Sequence, residues 1–221
     1  GFGYAGVRVD IRGTGDSEGE NAGFEGSGPD IAAAVALFRS RCPQMTRITA
    51  LGNCDAAAAL LLHNTPGIDA MLCANPWTID SAVDGDESEA ATPTPLPAAA
   101  IRARYLNKLK NPREVWRLLT GGVDLAKLLR GLRAARTAPP LATPDSLAGR
   151  LTQAIAQLNK PTTMLLADRD ATAMAFRSHW PSISATNQAV TLLSLDSGSH
   201  GFADDAAREW LRDQVLAALR S

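Results

Sequence analysis

Gly52-Asn53-Cys54-Asp55-Ala56 is the stretch of this chain whose residue types and spacing best suit covalent chemistry. A short apolar run stops at Gly52 and an alanine- and leucine-rich run begins at Ala56, so Cys54 falls on a turn from strand into helix. The pattern is G-x-S-x-G with cysteine in place of serine and alanine in place of the last glycine. Small residues flank the nucleophile position because strand and helix backbones approach closely at such a turn. The start of the helix is expected to favour a thiolate through its free N–H groups and dipole. The Asp55 N–H is expected to face a developing oxyanion. The plainer explanation is a buried structural cysteine at a tight turn, since cysteine is often buried and the pattern is short.

A nucleophile on such an elbow calls for an acid and then a histidine, in that chain order, after later strands. Leu165-Leu166-Ala167-Asp168-Arg169-Asp170 supplies the acid: Asp170 is the better placed and Asp168 the fallback. Asp196-Ser197-Gly198-Ser199-His200-Gly201-Phe202 carries His200 in a small-residue loop before the last helical run. His200 would take the thiol proton, Asp170 would hold the imidazole tautomer, and Cys54 would form an acyl-enzyme that water then releases. His63 lies on the elbow helix and His179 beside Trp180. Both read as packing or surface residues.

The elements that must position these groups alternate. Strands are expected at Tyr4–Asp10, Arg47–Leu51, Asp69–Ala74, Thr162–Ala167 and Ala189–Leu195, and helices at Pro29–Arg41, Ala56–His63, Ser146–Leu158 and Ala203–Leu219. A loop or helix begins at Ala171. Such alternation implies a parallel sheet with helices on both faces. Residues 78–150 interrupt it with an acidic, Ser/Thr/Pro-rich loop and a basic helical segment, which reads as a cap. The expected division is a first part of the core at 1–77, a helical cap insertion at 78–150 and a second part of the core at 151–221.

The 221 residues, 45% apolar and 20% charged with net charge −1, describe a globular domain with no electrostatic footprint for nucleic acid. No apolar run reaches membrane-span length. Cys42, Cys54 and Cys73 fit neither a zinc motif nor a C-x-x-C pair, and sparse free thiols suggest a cytoplasmic setting. No metal or cofactor is expected. Arg12-Gly13-Thr14-Gly15 lacks the spacing of a phosphate cradle, and the acidic run Asp80–Glu89 lacks cation-ligand spacing. Asn53 and Trp77 are substrate-binding candidates; Trp77 reads equally as an anchor between core and cap. The chain opens directly on a strand pattern, which suggests that early strands are missing.

Several segments resemble a known group. Val9-Asp10-Ile11-Arg12-Gly13-Thr14-Gly15-Asp16-Ser17 looks like the segment upstream of the elbow in α/β hydrolases. Phe24-Glu25, Asp30-Ile31-Ala32-Ala33-Ala34, the Cys54-Asp55-Ala56 elbow and Asn75-Pro76-Trp77 resemble the hydrolases associated with the bacterial exosortase A system (type 1). Ala103-Arg104-Tyr105-Leu106, Trp116-Arg117-Leu118-Leu119, Gly122-Val123-Asp124-Leu125 and Asp168-Arg169-Asp170 match the same pattern. The resemblance spans nearly the whole chain. It implies an α/β-hydrolase-type, mostly parallel sheet flanked by helices, with an inserted helical cap, and a hydrolase accompanying exopolysaccharide and protein-sorting loci. This chain departs from that group at Ser199-His200-Gly201-Phe202, where Asp-His-Thr-Phe is usual, and in an N-terminal region that would supply the second oxyanion N–H.

Two functional readings follow. One is a cysteine-dependent hydrolase or acyltransferase acting on a small-molecule ester, thioester or lactone. The other is a non-catalytic hydrolase scaffold serving as a binding or accessory protein. Oligomeric state is not legible.

Overall fold

The computed structural model describes residues 4–80, 143–184 and 187–220. Most of the expected cap, including Leu109, Val115, Trp116, Leu118 and Leu119, lies outside the described residues.

Four strands, β1 (Thr49–Asn53), β2 (Ala70–Ala74), β3 (Thr162–Ala167) and β4 (Val190–Leu195), pair in parallel in the order β1-β2-β3-β4. Their consecutive order requires a crossover between each pair, and helices supply them. The helices are α1 (Gly28–Arg41), α2 (Asp55–His63), α3 (Leu147–Ala156), α4 (Ala171–Ser184) and α5 (Asp205–Arg220).

Side chains alternate across the strands. Met71, Cys73, Met164 and Leu166 face a core built with α1 to α4, through residues such as Val35, Leu61, Leu151 and Phe176. Leu72, Ala74, Leu165 and Ala167 face α5, through Ala207, Trp210 and Leu211. Strands buried on both faces read as continuous apolar runs, and all five residues of β2 are buried. The expected boundary at 150/151 falls inside α3, whose Leu147 and Leu151 belong to one core.

The strand expected at Tyr4–Asp10 does not form. Among the described residues it has no pairing partner, and Tyr4, Val7 and Val9 are 47%, 57% and 47% exposed. Alternating apolar residues make a strand only where a neighbour pairs with the backbone and a core covers one face. The following loop is fixed instead by turn chemistry. The Ser17 Oγ donates to the Asp10 carbonyl at 2.8 Å, and Arg12 Nε lies 2.7 Å from Asp30 Oδ1 on α1.

Candidate active site

All the residues singled out for chemistry lie at the carboxyl ends of the strands. Asn53 ends β1 and Cys54 and Asp55 follow it, Trp77 follows β2, Asp168 and Asp170 follow β3, and His200 follows β4. In a parallel sheet this edge is where helix N-termini and connecting loops converge.

Cys54 caps the N-terminus of α2 with φ 61° and ψ −119°. A non-glycine residue held there carries strain of order 1–3 kcal/mol that surrounding structure must offset. Gly52 explains how. A Cβ there would lie 2.7 Å from the Ala56 carbonyl and 2.8 Å from the Ala57 nitrogen, so strand and helix backbones touch and only glycine fits. The Cys54 N–H donates to the Ala74 carbonyl at 2.9 Å, and the Trp77 N–H donates to the Cys54 carbonyl at 3.1 Å. The elbow is therefore clamped against the end of β2.

Asp170 sits at the turn into α4 with its side chain 10% exposed. Its Oδ2 accepts from the Thr172 and Ala173 N–H groups at 3.0 and 3.1 Å and lies 3.1 Å from His200 Nδ1. One carboxylate oxygen thus caps a helix and holds the imidazole. Asp168 is engaged elsewhere, by the Arg177 guanidinium. The two candidate acids separate accordingly: Asp170 meets the histidine and Asp168 does not. His63 packs against Gly28 and His179 is partly buried, with its imidazole pushed below the ordinary range by burial. Neither meets a carboxylate among the described residues.

The His200 loop is strapped from several sides. The Asp168 and Arg169 N–H groups donate to the Leu195 and Ser197 carbonyls, each at 2.9 Å. Arg169 Nε lies 2.9 Å from Asp196 Oδ1. Phe202, also in the left-handed region at φ 51°, is buried and stacks on Trp210 at 5.5 Å between centroids. Open space surrounds Gly201 where a side chain would stand, so packing does not compel a glycine there.

Asn53, turned so that its amide donates, reaches the His200 and Ala74 carbonyls at 3.2 and 3.3 Å. Asn75 does the same from β2, with its Nδ2 2.8 Å from the His200 carbonyl. The sequence marked Asn75 only as part of the Asn75-Pro76-Trp77 resemblance and gave it no role in the site.

The thiol does not behave as its helix position suggests. Burial pushes the Cys54 thiol up, the Asp55 N–H bond opposes this, and the charges of Asp55 and Asp170 add to the rise. Burial and the two carboxylates favour the neutral form more than the Asp55 N–H bond favours the anion. Among the described residues, Cys54 Sγ makes no hydrogen bond to His200. Cys73, fully buried, is pushed up to about 12 and is inert at neutral pH.

No family model and no curated protein matches the chain. Solved structures do. An esterase from Pyrococcus furiosus aligns with TM-score 0.56 at 15% identity, over 96% of this chain and 68% of that one. An esterase from Exiguobacterium antarcticum aligns with TM-score 0.52 at 14% identity, over 96% and 80%. A lipase-esterase related protein from Clostridium acetobutylicum aligns with TM-score 0.51 at 15% identity, over 92% and 79%. With the parallel sheet, the flanking helices and the strained elbow, these likenesses establish the α/β-hydrolase fold for this chain.

Proposed function

We propose that this chain is a hydrolase with a cysteine nucleophile, acting on an ester, thioester or lactone through an acyl-enzyme. The observation that carries the reading is the His200–Asp170 pair, 3.1 Å apart, on the same sheet edge as a strained Cys54. His200 takes the Sγ proton as sulfur attacks the carbonyl carbon, and the Asp55 N–H faces the oxyanion. Collapse breaks the bond to the leaving oxygen or sulfur, which receives the proton from His200. Water then attacks the thioester, giving its proton to His200. The carboxylic acid leaves and the thiol is restored. Trp77 and Asn53 border the elbow and are proposed to flank the acyl group.

A thiol held neutral needs this base, as a serine would. The reading therefore resembles serine-type catalysis with a sulfur nucleophile, rather than a preformed thiolate pair. It takes the work of the chain to be accessory to an exopolysaccharide and protein-sorting system, in a cytoplasmic setting, on the strength of the elbow and Asn75-Pro76-Trp77 resemblance.

The test is turnover of p-nitrophenyl esters and acyl thioesters by Cys54→Ala, Cys54→Ser and His200→Ala. Cys54→Ala and His200→Ala are expected to lose turnover, by about 10²–10⁴-fold for the base, while Cys54→Ser keeps measurable activity. Turnover unchanged in Cys54→Ala would sink the reading. The second reading, a non-catalytic accessory protein, is favoured by one observation: the raised thiol lacks a bond to His200 among the described residues. Absence of turnover across the panel, with a folded protein, would select it.

A further inference from the structure

We infer that Asn75 is a positioning residue, whose buried amide holds the acid-bearing strand end and the base-bearing loop in register with the elbow. The inference rests on the hydrolase reading above, but its geometry stands apart from it. Asn75 is 0% exposed. Its Nδ2 donates to the His200 carbonyl at 2.8 Å and its Oδ1 accepts from the Ala167 N–H at 2.9 Å. Its own backbone N–H donates to the Leu165 carbonyl at 2.9 Å.

The two side-chain bonds lead to different arms of the site. Ala167 ends β3, and its carbonyl accepts from the Asp170 N–H at 2.8 Å, so the acid is one link away. His200 is bonded through its own carbonyl, so the base is held directly. Ala74, the residue before Asn75, accepts the Cys54 N–H at 2.9 Å, so the nucleophile is one link away on the other side. One side chain thus joins the end of β3 to the His200 loop, and the adjacent Ala74 backbone ties both to the elbow.

The residue type follows from the task. Asn75 has φ 41°, a left-handed conformation that asparagine tolerates better than most residues. It must present a donor to one carbonyl and an acceptor to one N–H, which an amide alone does at that length. Aspartate would set a carboxylate oxygen against the His200 carbonyl. Glycine would keep the backbone and lose both bonds. A buried amide left unpaired is costly, so its two partners fix the loops as firmly as they satisfy the side chain.

The experiment uses Asn75→Asp and Asn75→Gly with two readouts. The first is ¹⁵N NMR of the histidine rings, assigned with His63→Gln and His179→Gln. The second is the split of kcat against KM on a short acyl ester. Wild type is expected to show His200 as a single Nδ1–H tautomer, and both variants a mixture. kcat is expected to fall about 10²-fold, the scale of an ångström-level misplacement, with KM held within about twofold. Folded variants with the wild-type tautomer and kcat, and merely a lower Tm, would overturn the inference. If both variants fail to fold, the wild type still decides: a nuclear Overhauser contact between the Asn75 amide protons and His200 Hα supports the bond, and its absence overturns it. If wild type lacks turnover, the hydrolase reading falls while the tautomer readout still judges Asn75.

Discussion

The elbow at Cys54 and the loop at His200 both hold a non-glycine residue at positive φ, yet they are held in different ways. Cys54, at φ 61°, depends first on its near neighbours, Gly52 packing backbone to backbone on Ala56 and Ala57, with two backbone hydrogen bonds to the segment after β2. Phe202, at φ 51°, sits in a loop fixed by Asn75 and Arg169, far along the chain, and by Trp210 on the following helix. The first arrangement turns on a steric contact within the elbow, and any side chain at Gly52 breaks it. The second is a web of hydrogen bonds and one aromatic stack, and it weakens strand by strand as members are removed. A site assembled this way holds Cys54 rigidly and leaves His200 tunable.

The comparison can be broken from the loop side first. Phe202→Ala removes a buried ring stacked on Trp210, and urea unfolding is expected to show a loss of about 3–5 kcal/mol. On the elbow side, Gly52→Ala forces a Cβ into backbone, with an expected loss of about 1–3 kcal/mol in the same assay and loss of turnover. Asp170→Ala removes a helix cap along with the histidine partner, so about 0.5–2 kcal/mol of stability should go with the activity. Asp168→Ala, which frees Arg177 at a partly exposed pair, should cost about 0–1 kcal/mol and leave kcat near wild type. A reversal of those two aspartates in a kinetic assay would reassign the acid.

A pH profile sharpens the elbow half. The folded thiol of Cys54 is raised, so its neutral form is favoured and the thiolate develops only as pH rises beyond the ordinary thiol value. Iodoacetamide alkylation of Cys54, separated from Cys42 by peptide mapping, should therefore have its midpoint above about 8.5. The sign for stability is the same. Raising pH through the unfolded thiol pKa costs the folded state, because the unfolded chain loses that proton first. A midpoint below the ordinary value would mean that the helix N-terminus outweighs burial after all.

These two regions also differ in how much of them the sequence disclosed. The elbow was legible because its constraint is local: small residues at fixed spacing around Cys54 leave a mark in five residues. The strand–helix alternation placed β1 to β4, α1, α2, α3 and α5 for the same reason. The strand expected at Tyr4–Asp10 failed because alternation does not supply a partner. The sign of the thiol shift failed because the two carboxylates and the burial come partly from residues distant along the chain. Asp170 could be separated from Asp168 only once Arg177 and the start of α4 were in place. Asn75 stood out only within the Asn75-Pro76-Trp77 resemblance, and its role stayed hidden because it lies in contacts with Ala167 and His200, 92 and 125 residues away.

The measurement that tests the central claim most directly is mass spectrometry of the acyl adduct. The protein is quenched during turnover of an activated ester, and the peptides bearing Cys42, Cys54 and Cys73 are compared in wild type and His200→Ala. The account expects the acyl group on Cys54 in wild type and its near-complete loss in His200→Ala. Acylation of Cys54 that is indifferent to His200, or that falls on Cys42 instead, would contradict it.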